Sequence, residues 1–344
     1  MWDLDRFDYD LPTERIAQAP AAERDGARLL VLDRGSGLRT HTRVRTLAET
    51  LRAGDLLVLN ATRVLPARLR GRKATGGTAE ALLLGESDPG SGRYRALLRA
   101  RGRLRCGQKL RFERDGAGLD AEVVALDENG EVVLAFDADA APYALGETPL
   151  PPYIKRDTPQ ASDAERYQTL FARVPGSVAA PTAGLHLSER VLAELEAGGV
   201  ERTELVLHIG PGTFRPLRDA DLARGRLHRE RYELSRETAA QITRTRERGG
   251  RVVAVGTTAA RVLETCAAPG RSVRPASGET ELLLAPGSDF QVVDALLTNF
   301  HLPRSSLLLL VCGFAGREAI LEAYAEAVRE GYRFYSYGDA MLIL

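Results

Sequence analysis

Between residues 67 and 136 the chain reads as short segments of alternating apolar and polar residues separated by turns, at 79–84, 93–98, 121–126 and 132–136. Period-2 alternation sends successive side chains to opposite faces, the pattern of half-buried strands. Asp127-Glu128-Asn129-Gly130 joins the last two segments, and Asn-Gly supplies the positive φ angles a tight hairpin needs. No long helical pattern interrupts the stretch. Repeated short strands with so few helical residues predict a small antiparallel barrel or sandwich.

Beyond Pro149-Leu150-Pro151-Pro152 the texture becomes alternating helix and strand. Ser188 can cap a helix whose apolar face holds Val191, Leu192 and Leu195, stopped by Gly198-Gly199. A strand at 204–209 follows. Ser235 can cap a second helix ending at Gly249-Gly250, followed by a strand at 251–255, a Gly256-Thr257-Thr258 turn and a helix at 259–266. A last long helix is expected at 317–330. This is an α/β layering with a partly parallel sheet. The opening segment, with strands near 28–32 and 55–59, is too short to fold alone and is expected to join the C-terminal part. At 344 residues, two domains are expected. The expected fold is a layered α/β domain, residues 1–62 plus 150–344, interrupted by an inserted antiparallel β-barrel at 63–149.

Formal net charge is +0, so a nucleic-acid surface would have to be a local patch. Such a patch is available in the insertion. It carries Arg93, Arg95, Arg99, Arg101, Arg103, Arg105 and Lys109, with Arg63, Arg68, Arg70, Arg72 and Lys73 earlier. Phosphate backbones attract such a surface; a solvated strand face explains it equally well. Cys106, Cys266 and Cys312 are far apart in sequence with no CxxC pair, which argues against a zinc site or a disulfide framework. The N-terminus lacks a signal-peptide core, and the longest strongly apolar run, 307–315, falls short of the roughly 20 residues that span a bilayer. A soluble, reduced, cytoplasmic protein without metal is expected.

Several loops could carry chemistry. In 178–186, small residues surround Thr182 and Gly184 and lead to His186, just before the Ser188 cap. Small side chains let a ligand approach the backbone, and a helix start favours anions. His208, Gly210 and Thr213 lie where a strand enters a Gly/Pro-rich loop, and ligands of open α/β sheets bind beyond the carboxyl ends of strands. Val255-Gly256-Thr257-Thr258 closes a strand and opens a helix, a cradle for a carboxylate or phosphate, but it has neither the P-loop lysine nor GxGxxG spacing. Asn299-Phe300-His301-Leu302-Pro303 and Tyr335-Ser336-Tyr337-Gly338-Asp339 place polar groups beside an apolar helix and the C-terminus. Each loop has a plain structural explanation as well, as a turn or a cap.

Taken in order, the stretches 16–20 with 28–34, 54–69 (GDLLVLNATRVLPARL), 151–156, 167–186 (YQTLFARVPGSVAAPTAGLH), 208–214, 228–232, 255–264, 294–303 and 332–343 (YRFYSYGDAMLI) resemble the S-adenosylmethionine:tRNA ribosyltransferase-isomerases of queuosine biosynthesis. The matches span nearly the whole chain. Leu187-Ser188 stands where that family often has Phe-Thr, which bears on pocket shape and removes no acid or base. The resemblance implies an α/β domain interrupted by a β-barrel. It implies transfer and isomerisation of the ribosyl part of S-adenosylmethionine onto 7-aminomethyl-7-deazaguanine (preQ1) at the wobble position of a tRNA anticodon, giving epoxyqueuosine, adenine and methionine. No metal or bound organic cofactor is implied; S-adenosylmethionine is a consumed substrate. A monomer is expected.

That chemistry suggests roles. A sulfonium acidifies the adjacent ribose C5′ hydrogens, and histidine is a suitable general base near neutral pH. His186 or His208 is the first candidate, with His301 and His228 behind them. Asn60, Thr62, Arg63 and Thr182 would orient ribose, base or methionine groups, with Gly184, Gly210, Thr213 and Asn299 also in the substrate site. Thr257 and Thr258 would hold the methionine carboxylate, and Asp339 an amine. Arg99, Arg101 and Arg103 would contact tRNA. Two other readings compete. An RNA methyltransferase would release S-adenosylhomocysteine, but no glycine-rich motif follows the first strand. A non-catalytic RNA-binding protein would leave the polar Gly/Pro-rich loops without a purpose.

Overall fold

A nine-stranded sheet runs through the larger part of the chain, with a closed six-stranded barrel beside it, counted over the described residues of the computed structural model. Those residues are 3–127, 130–137, 139–156, 158, 160–214, 217 and 219–344. The sheet order is Ala276–Leu282, Arg226–Leu234, Glu201–Leu207, Leu56–Asn60, Val252–Val255, Ala295–Asn299, Ala340–Ile343, Arg28–Leu32, Arg39–Arg43. The four strands from Glu201–Leu207 to Ala295–Asn299 are mutually parallel. Both flanks are antiparallel or mixed.

Leu56–Asn60, Val252–Val255 and Ala295–Asn299 are buried at every position, as parallel strands covered on both faces must be. One face, with Leu56, Val58, Val252, Ala254 and Leu296, packs against helices Arg236–Glu247, Thr257–Thr265, Ser306–Ala315 and Arg317–Arg329. The other, with Leu57, Leu59, Val253, Val255 and Leu297, packs against helix Glu189–Ala197 and the turn at Val44–Glu49. The expected caps form: Ser188 Oγ accepts from Val191 N at 3.2 Å, and Ser235 Oγ from Thr238 N at 3.1 Å. Each such cap stabilises a helix by about 1 kcal/mol.

The barrel strands are Arg68–Lys73, Thr78–Glu86, Arg93–Ala100, Lys109–Arg114, Ala117–Leu126 and Glu131–Phe136. Leu69, Leu83, Leu98, Phe112, Val123 and Leu134 fill its interior. The last two strands pair as a hairpin, with Gly130 at φ 82°; Glu128 and Asn129 lie outside the described residues. A short parallel pair, Thr62–Val64 with Val174–Ser177, stands beside the neck through which the chain enters the barrel. Sequence boundaries shift in two places that matter for function. The strand expected at 204–209 is Glu201–Leu207, which frees His208 into the loop, and the helix expected from 259 starts at Thr257.

Candidate active site

The four parallel strands end at one edge of the sheet, and each runs into candidate site residues. Leu56–Asn60 leads to Thr62 and Arg63, Glu201–Leu207 to His208–Thr213, Val252–Val255 to Gly256, and Ala295–Asn299 to His301. A cavity of about 380 Å³ opens there. It is walled by residues 179–183, 256–258 and 298–307, by Ile209, Thr213 and Leu217, by Tyr335 and Ser336, and by Tyr153 from the segment returning from the barrel. A second hollow, about 540 Å³ between Arg6, Pro286 and Arg317, gathers none of these loops.

The cavity lining holds two chemically different groups of residues. Gly256, at φ 90°, turns the chain abruptly into helix Thr257–Thr265, a conformation that side-chain-bearing residues resist. No side chain caps this helix, so its first N–H groups and the Thr257 and Thr258 hydroxyls are available to a ligand. Thr258 Oγ1 is buried without a partner among the described residues. The second group is aromatic. The Tyr153 and Tyr335 rings meet edge to face with centroids 4.0 Å apart. Tyr335 sits at φ 74°, rare for a bulky residue. Its N–H donates to Phe300 O at 3.1 Å, its carbonyl accepts from Asn299 Nδ2 at 3.0 Å, and Tyr153 Oη bonds the neighbouring Ser336 hydroxyl. Among the described residues the lining holds no carboxylate and one guanidinium, that of Arg304, 3.4 Å from Asp5.

Of the histidines, His301 is the one that lines this cavity. Its Nε2 bonds Thr298 Oγ1 at 2.9 Å, and its Nδ1 makes no hydrogen bond among the described residues. Its backbone is clamped between two phenols: Tyr324 Oη accepts from its N–H at 3.1 Å, and Tyr9 Oη donates to its carbonyl. Burial lowers its pKa to about 3, which keeps the ring neutral. His186 lies behind the wall, its Nε2 3.1 Å from Asn299 Nδ2; burial, outweighing the opposing pull of Asp339, lowers its pKa to about 4. His208 lies away from the lining, its Nδ1 bonded to Thr62 Oγ1 at 2.9 Å, and burial lowers its pKa too. His228 Nε2 stands 3.1 Å from Glu230 Oε1, at ion-pair distance but off the hydrogen-bond direction. His41 pairs with Glu326 near the C-terminal helix, away from the site.

Thr182, Thr213, Thr257, Thr258 and Asn299 therefore meet His301 around one space, and the remaining candidates do not. Asn60 bridges two strands, donating to Leu207 O and accepting from Leu207 N, each at 3.0 Å. Thr62 is fully buried, bonded to Ser177 and His208, and Arg63 is exposed. Gly184 is a packing glycine: a Cβ there would meet Phe171 Cζ at 2.6 Å. Gly210 acts through its N–H, which donates to Glu230 at 3.0 Å. The Asp339 carboxylate accepts from Arg28 N and Arg333 N at 2.9 and 2.8 Å, ties the last strand to the first and stays out of the cavity lining.

Sequence reading missed the buried pair of Glu230 and Arg261, which bond directly. Glu230 also holds Gly210 N and Thr213 Oγ1, so it fixes one cavity wall to the helix that forms another. Both residues lay inside family-like stretches, with Arg261 three residues past the Gly-Thr-Thr turn, but no spacing rule pairs them. Thr298 and Tyr153 were likewise inside quoted stretches without a role.

The basic patch on the barrel is smaller than its sequence suggests. Arg93, Arg95 and Arg99 project from the exposed face of a strand, while Arg101, Arg103 and Arg105 follow in the loop after it, all exposed. Lys73, by contrast, is buried with its ammonium on the Arg101 carbonyl, Arg70 pairs with Glu147 at 3.1 Å, and Arg68 donates to Leu150 O.

A family model described as "Queuosine biosynthesis protein" matches residues 4–343. An S-adenosylmethionine:tRNA ribosyltransferase-isomerase of Anaeromyxobacter dehalogenans (strain 2CP-C) is 52% identical, covering 99% of each chain. One from Acidithiobacillus ferrooxidans is also 52% identical, over 98% of this chain and 96% of the relative. The crystal structure of an S-adenosylmethionine tRNA ribosyltransferase from Thermotoga maritima is similar at 37% identity and a TM-score of 0.57, covering 98% of this chain and all of that one.

Proposed function

The chain belongs to the S-adenosylmethionine:tRNA ribosyltransferase-isomerase family of queuosine biosynthesis, and from that premise we propose that the 380 Å³ cavity at the carboxyl edge of its sheet binds S-adenosylmethionine. Its ribosyl group is transferred and isomerised onto the aminomethyl group of preQ1 at the wobble position of a tRNA, giving epoxyqueuosine, adenine and methionine. The observation that carries this is the cavity's lining. An uncapped helix start with the Thr258 hydroxyl, unpartnered among the described residues, suits the methionine carboxylate, and the aromatic pair in the same lining suits a purine.

The sulfonium is already an activated leaving group, so this chemistry needs no bound cofactor; S-adenosylmethionine is the consumed substrate. His301 is the general base for C5′, since it alone of the candidate histidines lines the cavity with a free ring nitrogen. The exposed Arg99, Arg101 and Arg103 take the tRNA backbone. The chain acts as a monomer in the cytoplasm, and among the described residues no helix is long and apolar enough to cross a membrane.

The test incubates the full chain with ribose-labelled S-adenosylmethionine and preQ1-containing tRNA. Adenine and methionine are expected in equal amounts, with label in the tRNA. S-Adenosylhomocysteine would indicate a methyltransferase, and bound tRNA without products a pure binder. Thr258→Val is expected to raise KM for S-adenosylmethionine about tenfold or more with little change in kcat, because it removes a hydrogen bond to a charged group. An unchanged KM would separate the carboxylate from this helix start.

Reversing charge at Arg99, Arg101 and Arg103 together is expected to weaken tRNA binding. It should also flatten the dependence of log K on log salt by roughly two units, about 0.7 for each lost phosphate contact. Unchanged affinity and slope would move the tRNA surface elsewhere.

A further inference from the structure

Asn299 ends a central strand and stands in the cavity wall, 2% exposed. A side-chain amide carries two N–H donors and an oxygen with two lone pairs. Its nitrogen contacts His186 Nε2 at 3.1 Å and the Tyr335 carbonyl at 3.0 Å, which uses both donors. Its Oδ1 is buried and has no partner among the described residues. A buried acceptor left unpaired costs about 1–3 kcal/mol, so Asn299 offers a ligand an acceptor and no free donor. Flipping the amide would set Oδ1 against the Tyr335 carbonyl, acceptor against acceptor. His186 reinforces the choice: a neutral ring protonated at Nδ1 presents Nε2 only as an acceptor.

S-Adenosylmethionine offers three kinds of donor. The α-ammonium carries a full charge, and one neutral acceptor in a lining without carboxylates does not compensate its desolvation. The ribose hydroxyls can donate or accept and have threonine hydroxyls at hand. The exocyclic amine of adenine is neutral and belongs to the ring that suits the aromatic pair, where Asn299 is bonded to Tyr335. We propose that Asn299 Oδ1 accepts a hydrogen bond from the exocyclic amine of adenine, and that His186 is a positioning residue that holds the amide for it. This rests on the cavity being the S-adenosylmethionine site.

The test compares S-adenosylmethionine with its deaminated analogue, in which a carbonyl oxygen replaces the exocyclic amine. Wild-type protein is expected to prefer S-adenosylmethionine by at least about 100-fold in kcat/KM, because the analogue faces Oδ1 with an acceptor. Asn299→Leu should lower that ratio below about tenfold. His186→Leu should lower it as well while turnover remains measurable, and His186→Gln, whose amide oxygen can still accept from Asn299, should restore it. A wild-type ratio within threefold overturns the Asn299 assignment without needing any variant. A lowered turnover of His186→Leu with the ratio intact overturns the positioning role. Calorimetric titration of the wild type and the variants separates the two levels of failure. Equal binding of both compounds by the wild type overturns this assignment alone, whereas binding of S-adenosylmethionine that neither Thr258→Val nor Asn299→Leu weakens overturns the site reading with it.

Discussion

His301→Ala is expected to lower kcat by about 10²–10⁴-fold, the usual contribution of a positioned general base, with a much smaller change in KM for S-adenosylmethionine. The ring is held by Thr298 at Nε2, and the His301 backbone by Tyr9 and Tyr324. Such clamping restricts the orientation of the ring at the cavity wall. Burial lowers the pKa to about 3, which guarantees the neutral, proton-accepting form at some cost in basicity. The consequence for pH is specific. An ordinary histidine would lose its basic form as pH falls through about 6.5. Here kcat/KM should show no acid limb from this residue between pH 8 and 5. His208→Ala is the control, because that ring lies outside the lining and is expected to cost less than His301→Ala. Near-wild-type turnover of His301→Ala, measured as adenine release, would return the base to His186 or His208.

Glu230→Ala is expected to destabilise the fold by about 3–5 kcal/mol, because it leaves the Arg261 guanidinium buried without its counter-charge. The melting temperature should fall by roughly 4–7 °C for a chain of this size. Burial by itself would raise the Glu230 pKa, but the adjoining His228, Arg261 and Gly210 N–H overcome it and hold the carboxyl at about 2. A carboxyl depressed in the folded state contributes stability that is fully present above its unfolded pKa, 4.5, and is lost as pH falls toward about 2. The gap between wild type and variant, followed by thermal melts, should therefore be constant at neutral pH and narrow below about pH 4.5. Glu230→Leu with Arg261→Met should recover much of the loss, since replacing both charges leaves neither stranded. If Glu230→Ala melts within a degree or two of wild type, the pair does not hold the cavity walls together.

What was legible in the sequence was local. Strand alternation in the barrel, Ser188 and Ser235 as caps, and the loops at strand ends all depend on neighbours within a few residues. Their ends appear in the structure within a residue or two, apart from the starts of Glu201–Leu207 and Ala117–Leu126, three and four residues earlier than the pattern suggests. The loops expected to carry chemistry do meet at one edge, because parallel strands send all their carboxyl ends the same way. The basic patch was less legible. Period-2 spacing says which face of a strand a residue takes, but not that Lys73 would be drawn inward onto a carbonyl.

The sequence by itself determined the architecture, a layered α/β part with an antiparallel barrel inserted, and the family. It did so because periodicity, capping and turn chemistry are written in adjacent residues, and because matches along the whole chain are specific. Only the tertiary structure decided which side chains face the cavity. Asn299 reaches His186 across 113 residues, and Asn60 reaches Leu207 across 147. Asp339, read as an amine ligand, became a tie between the last strand and the first, and His301 rather than His186 came to the cavity wall. Side-chain direction at a strand end is set by what packs against it from distant segments, and no local pattern encodes that.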